Sequence, residues 1–224
     1  MSPEANITAE SAAADLWDVV VIGAGPAGCI TSRELARSGC RVLLLEAKRF
    51  PRPKVCGGCL NQHALALLEQ CGLGRLVPES GAVPLHEFRI QLPGWNPHYD
   101  LPAGWSLTRA TFDSLLVVEA LEAGVSYLDE ATGRLEETNG HDHRVVQVEH
   151  GGETSAVRAR IVVCAEGLAR SSMRRVPEFD VHVASDAFVG AGVVLSADET
   201  PAVLREKAPA GSVTMAVGRG GYVG

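Results

Sequence analysis

The sequence has 224 residues, of which 46% are hydrophobic and 21% charged, and carries a net charge of −7. That length can bury a real core in one large or two small domains, and the acidic balance argues against a nucleic-acid partner. No apolar run reaches the length that crosses a bilayer, and six scattered cysteines form no disulfide framework.

Residues 1–15 are polar and acidic, without the positive start of a secretory signal, and are expected to form a disordered leader. The cytoplasm is the default compartment, with peripheral membrane contact left open. Residues 19–22 (Val-Val-Val-Ile) make an apolar run of the length of a strand buried on both faces of a parallel sheet. Gly23-Ala24-Gly25-Pro26-Ala27-Gly28 follows at once. In this pattern Gly23 allows the tight turn, Gly25 lets the backbone approach a pyrophosphate, and Gly28 lets the next helix pack on the strand. Pro26 suits the first helical turn, where its missing N–H is not needed. The free N–H groups and positive end of that helix then face phosphates. Residues 41–46 form a second buried strand that ends in Glu46, a carboxylate able to accept both ribose hydroxyls of an adenosine. A lone glycine fingerprint is weak, but strand, glycines, helix, second strand and terminal acid in this order point to a bound dinucleotide. The bland alternative is a glycine-rich turn with no ligand.

A loop rich in proline, lysine and glycine comes next, ending in Cys56-Gly57-Gly58-Cys59. Residues 60–70 have helical spacing, and Gly72 and Gly74 stop that helix. Short alternating segments over 83–108 predict antiparallel strands inserted into the α/β domain. A helix over 111–123, with an apolar face of Phe112, Leu115, Leu116, Val118 and Leu121, leads into a third strand at 125–128. Three alternating stretches at 133–138, 144–149 and 154–160, with turns at Asn139-Gly140 and Gly151-Gly152, predict a β-meander. It runs directly into a fourth parallel strand at 161–164. The crossover is therefore a meander where an NAD-binding domain has a helix. Beyond Arg175, strands are expected at 187–195, 212–217 and 221–224.

Four segments together resemble the FAD-dependent oxidoreductases of the p-hydroxybenzoate-hydroxylase fold, and among them the geranylgeranyl-reductase-like group. They are Asp18 to Gly28 with Glu46; Pro51 to Gly58; Arg109-Ala110-Thr111-Phe112-Asp113 with Leu116; and Ala165-Glu166-Gly167 with Ser171, Ser172 and Arg174 or Arg175. The resemblance implies an α/β fold, a Rossmann-like FAD-binding domain with a parallel sheet and a β-meander crossover, plus part of an antiparallel substrate-side sheet. It assigns 16–82 and 109–178 to the FAD-binding domain, and 83–108 with 179–224 to the substrate side. By resemblance Gly23, Gly25, Pro26, Ala27 and Gly28 cradle the FAD pyrophosphate and Glu46 holds the adenosine ribose. Cys56, Gly57 and Gly58 lie against the flavin, which makes Cys56 the one candidate for a residue at the reacting centre. Arg109 reaches the cofactor's phosphate or ribityl region, or else only caps its helix. Ala131 neighbours the adenine, and Glu166 with Gly167 stands where the family has Asp-Gly. The family's later Gly-Asp segment is missing, so the chain is expected to be an N-terminal portion.

The flavin would carry the chemistry, with NAD(P)H as an electron donor and a small apolar substrate, isoprenoid or aromatic. Double-bond reduction, ring hydroxylation by a flavin monooxygenase and a non-catalytic nucleotide-binding remnant stay open. So does an NAD-dependent dehydrogenase, against which the meander crossover argues. No metal is expected, because Cys56 and Cys59 have no second ligand pair at suitable spacing. A dithiol relay is the alternative for that pair, with Arg52 and Lys54 lowering a thiol pKa. The plainer expectation has Cys56 packed by the flavin and Cys59 starting the helix.

Overall fold

A computed structural model describes residues 2–137, 142–174, 176–179, 183–187, 189–196, 198–207, 209–218 and 221–224. The Asn139-Gly140 turn lies outside the described residues. In chain order the elements are α1 (Ala9–Ala14), β1 (Leu16–Ile22), α2 (Pro26–Arg37), β2 (Val42–Leu45), β3 (Cys59–Asn61), α3 (Gln62–Gln70), β4 (Val83–Pro84), β5 (Glu87–Gln91), β6 (His98–Asp100) and β7 (Gly104–Ser106). They continue with α4 (Arg109–Glu122), β8 (Ser126–Leu128), β9 (Thr132–Leu135), β10 (Arg144–His150), β11 (Glu153–Cys164), α5 (Ala202–Lys207), β12 (Ser212–Gly218) and β13 (Gly221–Val223). The chain divides into two compact units, Met1–Arg52 with Phe112–Ala187, and Pro53–Thr111 with Phe188–Gly224.

The first unit is built on a six-stranded sheet in the order β8-β2-β1-β11-β10-β9. β8, β2, β1 and β11 run parallel, while β11, β10 and β9 pair antiparallel. The unbroken apolar runs at 19–22 and 42–45 are buried along their whole length, as expected for central parallel strands covered on both faces. The expected meander strand and the expected fourth parallel strand are one element. β11 runs without interruption for 12 residues, pairing with β10 through its first half and with β1 from Arg158 onward. No turn residue separates Arg160 from Ile161, so the strand simply continues into its new neighbour.

The stretch expected as a disordered leader carries a helix. Thr8 caps α1 by accepting from Ser11 N (3.2 Å), and Ala12 is fully buried. Trp17 Nε1 donates to Ala12 O (2.9 Å). Asn6 covers the open edge of β8, with its Nδ2 donating to Val125 O (3.0 Å) and its Oδ1 accepting from Tyr127 N (2.7 Å). Polar composition disguised this docking, because the anchors that reach the core are only Ile7 and the alanines at 9, 12 and 13, with Asn6 beside them. Asn6→Ala removes both side-chain bonds and leaves Tyr127 N–H without its partner, a loss of about 1–2 kcal/mol. Urea unfolding should show that drop in midpoint, and an unchanged midpoint would contradict the docking.

The second unit contains two small sheets, β3-β7-β4 and β13-β12-β5-β6. β12 joins β5 in parallel, and the other pairs in both sheets are antiparallel. Residues 53–82, expected in the FAD-binding domain, fall in this unit. The reason is local: β3 pairs with β7, and α3 follows β3 directly. Cys59 accordingly begins a strand, and Asn61 caps α3 through Oδ1 to Ala64 N (2.9 Å). The strand expected at 187–195 is not formed among the described residues. Val189, Val193 and Val194 lie 96%, 79% and 77% exposed.

Candidate cofactor site

The turn after β1 is fixed from three sides. Gly23 N donates to Leu45 O and Ala165 N to Ile22 O, each at 2.8 Å, so the ends of β1, β2 and β11 converge on this turn. Gly23 has φ +103°, and a β-carbon there would come within 2.8 Å of the Ala165 carbonyl carbon and of Glu166 Cα. A β-carbon on Gly28 would overlap the Gly23 carbonyl oxygen. These two glycines are therefore demanded by the packing itself. Gly25 is the extended N-cap of α2, and no side chain caps this end. Pro26 occupies the first helical position, and the first intrahelical bond is Cys29 N to Gly25 O (2.9 Å). The N–H groups of Ala27 and Gly28 precede that bond and remain available for an anion.

Glu46 sits at the end of β2, only 7% exposed. Its Oε2 accepts from Ala24 N (3.0 Å) and from Arg52 Nη2 (3.1 Å), and its Oε1 accepts from Lys48 N (3.2 Å). Arg52 in turn reaches Asp113 Oδ2 on α4 through Nη1 (3.3 Å). An ionised carboxylate offers about four lone-pair positions. Three are taken, which leaves room for one further donor where two ribose hydroxyls were expected. Ala131 is buried, and its N–H donates to Glu46 O (2.9 Å), tying the end of the third parallel strand to the same acid. The Cys29 thiol is pushed far up by burial and then by the carboxylates of Asp113 and Glu46. Iodoacetamide should therefore label the exposed Cys56 while Cys29 stays unmodified in the folded chain. Peptide mass spectrometry reads this directly, and labelled Cys29 in folded protein would contradict its burial.

Glu166 and Gly167 follow β11. The Glu166 carboxylate accepts from Ser172 N and from Ser172 Oγ, both at 2.8 Å, and so caps the short turn Ser171–Met173. Gly167 has φ +82° with open space where a β-carbon would be.

The remaining sequence candidates belong to the second unit. Cys56 and Gly57 are exposed, and a β-carbon on Gly57 would meet nothing within 4 Å. Gly58 has φ +69°, and its carbonyl accepts from Leu107 N (2.8 Å). Arg109 is the half-buried first residue of α4. All six cysteines are free. Burial raises the Cys59 thiol, and nearby Cys56 adds to the rise. Arg52, expected beside these thiols, is instead buried between Glu46 and Asp113.

The FAD binding domain family matches residues 17–218. This chain belongs to that family. It is 38% identical over 159 residues to digeranylgeranylglycerophospholipid reductase 1 of Methanopyrus kandleri, covering 68% of this chain and 40% of that protein. It is 40% identical over 160 residues to the probable electron transfer flavoprotein-quinone oxidoreductase YgcN of Escherichia coli, covering 68% of this chain and 36% of the other. A geranylgeranyl bacteriochlorophyll reductase-like protein from Thermoplasma acidophilum shares the fold, with TM-score 0.67 and 18% identity over 92% of this chain and 51% of its own. The chain thus spans about 40% of the length of the curated relatives.

As a member of the FAD-binding-domain family, the chain presents a site that suits the cofactor's adenosine diphosphate half. Gly23 and Gly28 have no space for a β-carbon, the end of α2 has no side-chain cap, and an acid follows β2. Sequence reasoning missed Arg52 and Asp113 as parts of this site. Both lie in segments that carry the family resemblance, Pro51 to Gly58 and Arg109 to Asp113, but the resemblance gave neither a role in the site. Neither fixes a partner without the fold.

Proposed function

We infer that the chain holds FAD at the Gly23–Gly28 turn and forms part of an FAD-dependent oxidoreductase acting on an apolar substrate, with reduction of isoprenoid double bonds favoured. The observation that carries this reading is the closed glycine cradle with Glu46 bonded directly to Ala24. FAD, when bound, supplies a ring that carries hydride between a donor such as NAD(P)H and the substrate. The protein's part is to bind and orient. Gly25, Ala27 and Gly28 offer backbone N–H groups to the pyrophosphate, with Pro26 setting the helix start. Glu46 offers its remaining lone pair to the adenosine ribose, beside the buried Ala131. Glu166 shapes the Gly167 backbone by holding the turn at Ser172. In the second unit, Cys56, Gly57, Gly58 and Arg109 are the residues assigned to the flavin half. The open space around Gly57 favours a close backbone approach there.

The isoprenoid preference draws on the relatives named as digeranylgeranylglycerophospholipid reductases. Such a substrate suits a cytoplasmic protein working at a membrane surface. Among the described residues no helix is long and apolar enough to cross a membrane. The test is to purify the chain, record its visible spectrum and titrate the apoprotein with FAD. The reduced protein is then offered a polyprenyl lipid without oxygen, and a phenol with oxygen. Gain of hydrogen by the lipid supports the reductase reading, and gain of oxygen by the phenol turns it to hydroxylation. A colourless chain that takes up no FAD overturns the reading.

A further inference from the structure

Arg52 is only 8% exposed and its guanidinium lies over the Phe50 ring, 4.7 Å from the centroid. One end of the fork donates to Glu46 Oε2 and the other faces Asp113 Oδ2, itself fully buried in α4. The Phe50 ring beneath it restricts the guanidinium, and the two carboxylates at Nη1 and Nη2 fix its rotation. Glu46 is therefore held on one side by the backbone of the glycine turn and on the other by α4 through Arg52. Burial first, then the Asp113 and Glu46 carboxylates, raise the nearby Cys29 thiol, and Arg52 opposes them.

We propose that Arg52 is a positioning residue that, anchored on Asp113 and stacked on Phe50, orients the Glu46 carboxylate toward the adenosine ribose. This rests on the reading that Glu46 meets that ribose. Nη2 occupies one lone pair of Oε2, and Ala24 N and Lys48 N occupy others. The free lone pair is left with one direction, preset before any ligand arrives. A lysine keeps the charge but has no fork with which to bridge two carboxylates.

The experiment compares FAD with an FAD analogue lacking both adenosine ribose hydroxyls, each titrated by flavin fluorescence against the wild-type chain, Arg52→Met, Arg52→Lys and Glu46→Gln. Wild type should prefer FAD by about 10- to 100-fold, the worth of a charge-assisted hydrogen bond to one hydroxyl. Arg52→Lys, which retains the buried positive charge and so the fold, should lose most of that preference while its affinity for the analogue stays within about threefold. Arg52→Met should behave alike, with the double variant Arg52→Met, Glu46→Gln no worse than Glu46→Gln alone. Full preference retained in Arg52→Lys overturns the proposal, and so does equal weakening toward both ligands. If wild type itself binds FAD and the analogue equally, the Glu46 reading fails first, and that outcome is visible without any Arg52 variant.

Discussion

Gly28→Val should cost the chain its FAD binding and about 3 kcal/mol or more of stability, the upper end of what overpacking a closed site takes. The new β-carbon would coincide with the Gly23 carbonyl oxygen, which is backbone and cannot rotate away. Ala165 Cβ lies 3.3 Å from the same position and blocks the lateral escape. Either α2 lifts from β1 or the turn opens, and both outcomes move the N–H groups proposed to meet the pyrophosphate. Gly39→Ala is the matched control. That glycine has φ +89° but nothing within 4 Å of its missing β-carbon. It should lose about 1 kcal/mol from the left-handed backbone alone and keep its affinity for FAD. Thermal melts with a parallel FAD titration separate the two, and a Gly28→Val chain that binds FAD normally would contradict the cradle.

Glu46→Leu is the second large effect. Removing one member of a buried charge network costs about 3 kcal/mol, because its former partners stay buried without it. Here Ala24 N–H and Lys48 N–H lose their acceptor, while Arg52 keeps Asp113. FAD affinity should fall by about 100-fold, which corresponds to about 2.7 kcal/mol. Glu46→Gln keeps the shape and one acceptor oxygen, so it should recover part of the stability and less of the binding. Urea unfolding and fluorescence titration measure the two quantities on the same samples. A Glu46→Leu chain as stable as wild type would show that Arg52 and Ala24 find other partners.

The parallel strands and the meander leading into the last of them were legible because they follow from patterns that admit few alternatives. A continuous apolar run, a glycine turn and a second run ending in an acid leave one way to build the first βαβ unit. Gly23, Pro26 and Gly28 were readable for the same reason, since each meets a local demand. α4 shows where legibility stops. Its apolar face was expected at Phe112, Leu115, Leu116, Val118 and Leu121, yet the buried side includes Val117 and Ala120 as well as Asp113 and Ser114. Periodicity sees only apolar residues, so an acid turned inward toward an arginine 61 positions upstream is invisible to it. Residues 53–82 went to the other unit for a related reason. A three-residue strand such as β3 is defined by its partner β7 and carries almost no pattern of its own.

The position of β1 also governs the order in which this protein can be assembled. β1 lies between β2, made soon after it, and β11, made near the end of the first unit. During synthesis the N-terminal half must wait with one edge of its central strand uncovered until residues 158–164 leave the ribosome. Ala165, which closes the glycine turn, arrives with that same strand. The glycine turn proposed to hold the nucleotide is thus among the last features of its unit to take shape. Free FAD has little to grip on a nascent chain, and its stabilising effect comes after the backbone has already committed to its fold.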